Sequence, residues 1–393
     1  MSSKIQHLDL EEAIEVLHFL SNYAFTPTPP LPQFESYAKK IRNRKDANYF
    51  AVYEGNQAQA IACATTPLTQ NLRGKLFSMG GVANVATHPA ARRKGYARNL
   101  MLHLYHEFNQ NNVAVSCLYP FKENFYQRLG YITLPQTKRI TFNPLHLKPL
   151  LNMDLDGHYE LVTFNEGYQK FRSYLEKHQQ NSHGMAISTV PQPEAAEDHD
   201  AWLLFAYQSE EILGVMNYIL KDQILDQTLL AYDFLFSNSE GKFLLLNWIA
   251  RHLDQVSKAI LTIKPDQFGE NLFTDLRPDF DGLYIPPMAR VIKILALSGL
   301  PVGDGDISIQ VNDPECPWNN GIWQLTCDRG QLSIIEADHA QCELTVQGLT
   351  ALVYGVYPPG EFALRNWGNP NAELQFALQK MFPPMTPYLH AVY

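Results

Sequence analysis

The sequence is poor in the features that mark a chain for export, for a membrane or for a polyanion. Across 393 residues no apolar run is long enough to span a bilayer, and the N-terminus, MSSKIQHLDLEEAIEVL, lacks an apolar segment between basic residues and a cleavage site. Neither membrane insertion nor export is expected. Charged residues make up only 18% of the chain, and 31 Lys and Arg against 40 Asp and Glu leave a net charge of −9. That balance argues against a nucleic-acid binder and suits a cationic partner. The five cysteines, Cys63, Cys117, Cys316, Cys327 and Cys342, are odd in number and scattered without ligand spacing. Neither a disulfide framework nor a metal site is indicated, and a reducing cytoplasm fits best. Two familiar phosphate-binding signatures are also missing, since neither G-x-x-x-x-G-K-[ST] nor G-x-G-x-x-G occurs.

What the chain does contain is 46% hydrophobic residues, enough for a large core and two or three domains. Asp9 caps an amphipathic pattern in which Leu10, Ala13, Ile14, Leu17 and Leu20 share one face, with Glu12 three residues after the cap. After the proline-rich Thr26–Pro32, strand patterns at Tyr49–Glu54, Ala58–Ala64 and Leu76–Thr87 precede a helical pattern carrying Leu100, Met101, Leu104 and Phe108. VAVSCLYP then reads as a buried strand, so a mixed α/β layer is expected over residues 1–155. From His158 the order partly repeats, with paired strands in AWLLFAYQ and EILGVMNYIL and then strand, glycine turn, helix and strand. This reads as a degenerate second copy over 156–284. Over 285–393, MARVIKILALSGL has helical spacing, ISIQVND and GIWQLTCDRGQLSIIEA read as strands with a hairpin at Asp328-Arg329-Gly330, and two helical patterns follow from about Leu344.

The chemistry concentrates at Arg92-Arg93-Lys94-Gly95-Tyr96-Ala97, where a strand ends and a helix begins. The first amides of a helix lack intrahelical partners and carry partial positive charge, so they form a ready anion site. Gly95 lets the backbone approach the anion, Ala97 is small, and the basic side chains add long-range attraction. The ligand expected is a diphosphate-bearing small molecule held mostly by main chain. In the second copy the corresponding turn, Ser237 to Lys242, carries Glu240 where a base stands in the first; it would repel an anion and reads as scaffold.

Arg92, Gly95 and Ala97 match [RQ]-x-x-G-x-[GA], and the segment resembles motif A of the GCN5-related N-acetyltransferases (GNAT). The second hallmark follows about thirty residues on in FYQRLGY, Phe125 to Tyr131. A motif-bearing unit, a degenerate unit and a sterol-carrier-protein-like ending resemble the enhanced intracellular survival (Eis) acetyltransferases over essentially the whole chain. The fold class this implies is α/β (α+β), with tandem GNAT folds followed by a sterol-carrier-protein-like α+β domain. The resemblance implies acetyl-CoA as co-substrate, its pyrophosphate held by Arg92, Arg93, Lys94, Gly95, Tyr96, Ala97 and Arg98 and its pantetheine arm by Val85, Ala86 and Thr87. It implies Tyr126 as general acid to the CoA thiolate and the carboxylate of Tyr393 as the base route. Acceptors would be cationic amines on aminoglycosides, polyamines or lysine side chains, and the assembly a homo-hexamer. The family pattern is not followed everywhere: no acid stands beside Tyr393, and Asn22 to Pro30 contains no Asp or Glu.

Other candidates read more plainly. His103 and His106 sit at i and i+3 without a third ligand and read as a solvated face, and His88 as a turn residue. Tyr23, Phe25, Phe34 and Tyr37 either line an acceptor pocket or pack, and Trp318, Trp323 and Trp367 are read as packing. The competing function is a non-catalytic carrier of an apolar ligand in the last domain; the intact first motif favours the enzyme.

Overall fold

A computed structural model describes residues 3–25, 29–197, 199–223, 226–281 and 285–390. The first elements are β1 (Lys4–Leu8), α1 (Leu10–Phe25), α2 (Phe34–Arg42), β2 (Ala47–Glu54), β3 (Gln57–Leu72), β4 (Lys75–Thr87), α3 (Tyr96–Gln110), β5 (Val115–Leu118), α4 (Glu123–Gln127) and β6 (Ile132–Thr133). Next come β7 (Lys138–Phe142), β8 (His158–Thr163), α5 (Phe164–Gln180), β9 (Ala186–Ser188), α6 (Pro193–Ala196), β10 (Trp202–Gln208), β11 (Glu211–Gln223), β12 (Asp226–Phe236), α7 (Ser239–Ala250), β13 (Val256–Ile263) and β14 (Asp279–Asp281). The last are β15 (Met288–Val291), β16 (Asp306–Asn312), β17 (Gly321–Asp328), β18 (Gln331–Glu336), β19 (Cys342–Thr345), α8 (Val346–Tyr354), α9 (Phe362–Arg365) and α10 (Ala372–Met381). Two compact units share them, one from Met1–Pro135, Ser182–Gln192 and Pro286–Tyr393, the other from Gln136–Asn181 and Pro193–Ile285.

In the first unit the larger sheet runs β1-β2-β3-β4-β5-β15-β6, with β9 beside β3. Its first strands form an antiparallel meander, whereas β4 and β5 are parallel and joined across α3, as a parallel pair requires a crossover. The Asp9 cap is present, its carboxylate accepting from the Glu12 amide at 2.9 Å, and Ala13, Ile14, Leu17 and Leu20 are buried.

MARVIKILALSGL departs from its helical reading. Met288–Val291 is a strand, antiparallel to β5 on one side and β6 on the other, and only Ile294–Leu297 makes a turn of 3-10 helix. Four consecutive residues of β15 are buried because both faces of the sheet are covered there. A short run of that kind carries no periodicity to separate strand from helix.

A smaller sheet, β18-β17-β16-β19, lies further along the same unit. Its hairpin turns at Arg329 and Gly330, both at positive φ (50° and 80°), the two-residue turn that matches strand twist. Buried side chains bind this C-terminal region to the larger sheet. Arg73 donates to the Val353 and Leu352 carbonyls at the end of α8, 2.9 and 2.7 Å away, and the Tyr354 hydroxyl donates to Gln70 on β3 at 2.7 Å.

The second unit has strand order β14-β7-β13-β12-β11-β10-β8, with β12 parallel to β13 across α7. This matches the order around α3, so the repeat read from the sequence is a repeat of structure. The strand outside β13 is β7, which precedes the second copy in the chain, and the strand outside β5 is β15, which follows it.

Candidate active site

The site grows from an irregularity in β4. Ala60–Thr87 and Ile61–Ala86 pair on one side of a register shift and Cys63–Ala83 on the other, so Asn84 and Val85 together face Ala62. Asn84 takes φ 51°, and its side chain accepts a hydrogen bond from Ser21 of α1 at 3.1 Å. A bulge of this kind bends its strand and increases its twist. Pairing with β5 ends at Val82–Leu118, while β4 runs on to Thr87. Among the described residues, Ala83 to Thr87 have no strand beside that edge, so their backbone groups on that side are left without a ladder partner. Val85 and Thr87 are half-buried along this edge and Ala86 is buried.

At the end of this strand α3 begins with an unusual cap. Gly95 occupies the N-cap position at φ 87°, no side chain caps the helix, and Arg93 just before it is also at positive φ, 67°. A Cβ built on Gly95 would meet nothing within 4 Å. The first amides of α3 therefore point into open space beside the exposed Arg92 and Arg93. The other basic residues of the motif are engaged within the chain. Lys94 reaches Glu54 at 3.1 Å, the Tyr96 hydroxyl donates to the same carboxylate, and Arg98 pairs with Glu315 at 2.8 Å. Glu54 is held below the usual carboxylate range by these two hydrogen bonds, Tyr96 first. The net attraction for an anion thus rests on Arg92, Arg93 and the helix start, with Ala97 half-buried behind them.

Tyr126 stands on α4, two turns of chain beyond the end of β5. It is buried among Phe125, Phe121 and Tyr131, with ring centroids 5.0, 5.7 and 6.0 Å away. Burial pushes its phenol well above the ordinary value. The Tyr119 hydroxyl, next to the end of β5, lies 3.5 Å from the Leu389 carbonyl oxygen, so residues near 389 pass beside the loop that leads to α4. Tyr393 lies outside the described residues.

An acetyltransferase (GNAT) domain profile matches residues 4–133. The first unit holds a GNAT acetyltransferase domain. A sterol carrier protein domain profile matches residues 292–390. No curated protein matches the sequence. Among solved structures, the chain resembles a GCN5-related N-acetyltransferase from Anabaena variabilis with a TM-score of 0.85 at 16% identity, covering 100% of each chain. It resembles a probable N-acyltransferase of Enterococcus faecalis (TM-score 0.84, 19% identity, 100% of each chain) and Eis1 from Mycobacterium abscessus (0.80, 16%, 100% of each). The fold expected from the Eis resemblance is the fold observed, with the GNAT arrangement in tandem and the sterol-carrier-like region last.

Around the GNAT cleft the secondary candidates separate. Tyr23 and Phe25 are exposed at the end of α1, whereas Phe34 and Tyr37 pack edge-on against His18 at 5.2 and 5.5 Å. His88 accepts from the Ala90 amide at 3.3 Å and stacks on Phe19. His106 is exposed beside Trp318 at 5.0 Å, as a solvated face would have it, whereas His103 is half-buried against Phe50 at 4.9 Å. The Trp318 and Trp323 indoles donate to the carbonyls of Ile292 and Asn319, at 2.7 and 2.9 Å, and Trp367 packs on Tyr357. Sequence reasoning missed the Asn84 bulge and the role of Glu54. A polar residue between Ala83 and Val85, within an apolar strand, was the available sign of the first.

Proposed function

We propose that the protein transfers acetyl groups from acetyl-CoA to the amine of a cationic acceptor, such as an aminoglycoside, a polyamine or a lysine side chain. The observation that carries this reading is the uncapped start of α3, with Gly95 at φ 87° and open space where a side chain would stand, placed at the end of a strand that has left its neighbour. The residues fit the cofactor: the α3 amides with Arg92 and Arg93 take the pyrophosphate, and the free edge at Val85, Ala86 and Thr87 pairs with the amides of the pantetheine arm.

In this reading the acceptor nitrogen forms a bond to the thioester carbonyl carbon, the carbon–sulfur bond breaks, and the leaving sulfur takes up a proton. Tyr126 supplies that proton. Burial holds the phenol in its protonated form. Donation becomes favourable only as negative charge gathers on sulfur, which places the proton transfer late in bond cleavage. The proton lost by the amine leaves by way of water. The net charge of −9 and the exposed Tyr23 and Phe25 favour a cationic, partly apolar acceptor.

The deciding experiment is Tyr126→Phe, assayed by thiol release with a panel of aminoglycosides, polyamines and lysine peptides. The ring is kept, so acetyl-CoA affinity should change little while kcat falls about 10²-fold or more. Since burial raises the phenol's pKa, its ionisation should not reduce wild-type kcat until the pH is above about 10. An unchanged kcat in Tyr126→Phe overturns the acid assignment.

A further inference from the structure

The short helix α4 holds Tyr126, and the amides of Leu129, Gly130 and Tyr131 meet its last carbonyls. Side chains from elsewhere in the sequence add bonds to carbonyls at and beyond its end. Arg290 on β15 donates through Nη1 to the Leu129 carbonyl at 2.5 Å, and the Tyr105 hydroxyl of α3 donates to the same oxygen at 3.2 Å. Gln347 on α8 donates to the Gln127 carbonyl at 3.0 Å, and the Tyr357 hydroxyl to the Thr133 carbonyl at 3.0 Å. The Tyr126 carbonyl in turn accepts from the amides of Leu129 and Tyr131, at 2.9 and 3.1 Å, so the clamped carbonyls of Gln127 and Leu129 lie within one turn of the tyrosine, and that of Thr133 lies on β6.

Arg290 is itself fixed in every direction. It is fully buried, its Nη2 donates to Asp313 at 2.6 Å and to the Cys316 sulfur at 3.1 Å, its Nε donates to the Val291 carbonyl at 3.1 Å, and its guanidinium lies 4.4 Å from the centre of the Tyr105 ring. Asp313 accepts further from Asn319 at 2.9 Å and from the Cys316 amide at 3.2 Å. Gly130, at φ 89°, completes the fit, because a Cβ there would stand 2.7 Å from Arg290 Nη1 and 2.9 Å from Val346. A buried charge that is paired and fully hydrogen-bonded is a rigid reference point.

The geometry points to Arg290, with Asp313 and Gln347 behind it, as a positioning residue for Tyr126, and so to the sterol-carrier-like region as a brace for the acetyltransferase site.

The inference rests on Tyr126 as the acid, and a double-mutant cycle tests it on the full-length protein. Arg290→Lys keeps a charge beside Asp313 but loses the fork to Leu129; it should lower kcat about tenfold with acetyl-CoA affinity unchanged, and Gln347→Ala about threefold. In the Tyr126→Phe background both substitutions should change kcat less than about twofold, because no hydroxyl remains to be placed. A merely structural role would lower kcat by the same factor in both backgrounds, and that result, or an unchanged kcat in either folded single variant, overturns the brace. Gln347 is only half-buried, so its variant carries the test should Arg290→Lys fail to fold. An unchanged kcat in Tyr126→Phe alone removes the acid assignment instead, which separates the two failures.

Discussion

At the start of α3 the cap position is Gly95, left-handed and without a side chain, and the space above it is empty. At the start of α7, in the same place in the repeated fold, the cap is Asn238, whose carboxamide accepts from the Gly241 amide at 2.9 Å. Ser237 beside it donates to the Leu213 carbonyl at 3.1 Å, and a Cβ on Gly241 would stand 2.2 Å from that carbonyl oxygen. Both helices sit between parallel strands, and both need partners for their first amides. One takes them from its own chain and packs shut. The other leaves them open, and under the proposed function some stability is withheld from the helix start until acetyl-CoA binds.

Exchanging features between the two starts should break the symmetry in opposite ways. The largest effect expected is Gly241→Ala, where overpacking against Leu213 should cost about 3 kcal/mol in chemical denaturation of the second unit. Acetyl-CoA affinity per folded chain, measured by calorimetry, should stay the same; a drop would mean that the closed start also serves the ligand. Gly95→Val comes next, forcing a branched side chain into the left-handed region and filling the cradle, and should weaken acetyl-CoA binding about 10²-fold. Arg93→Glu should follow with a loss of about tenfold that shrinks as salt rises, and titration should find one site per chain in wild type. Two equal sites would mean that α7 also binds the cofactor. Last, Asn238→Ala should lower the stability of the second unit by about 1 kcal/mol and leave binding untouched.

Much of this contrast could be read from residue types. Gly95 and its basic neighbours announced an open helix start, and Glu240 marked the other as different. The strands from Tyr49 to Thr87 alternate or run apolar clearly enough to be found, and Tyr126 came from its motif rather than from periodicity. The misreading at Met288–Val291 has a physical cause: that strand is buried on both faces, so its residues carry no alternation to detect. Arg290 was invisible for the same reason. A single arginine in an apolar run gives no hint that its partners are an aspartate 23 residues later and a carbonyl 161 residues earlier. The Asn84 bulge depends on register, which is set by the partner strand and not by the strand itself.

The position of β15 has a further consequence. A ribosome making this chain completes β5 and α4 early, but the strand that covers the outer edge of β5 is Met288–Val291, and Arg290 arrives with it. Until then the nascent acetyltransferase sheet carries an unpaired edge and a loosely held Tyr126. Synthesis of the whole second unit therefore stands between the beginning of the active site and its completion. A fragment ending at residue 135 should be sticky and inactive rather than a small working enzyme.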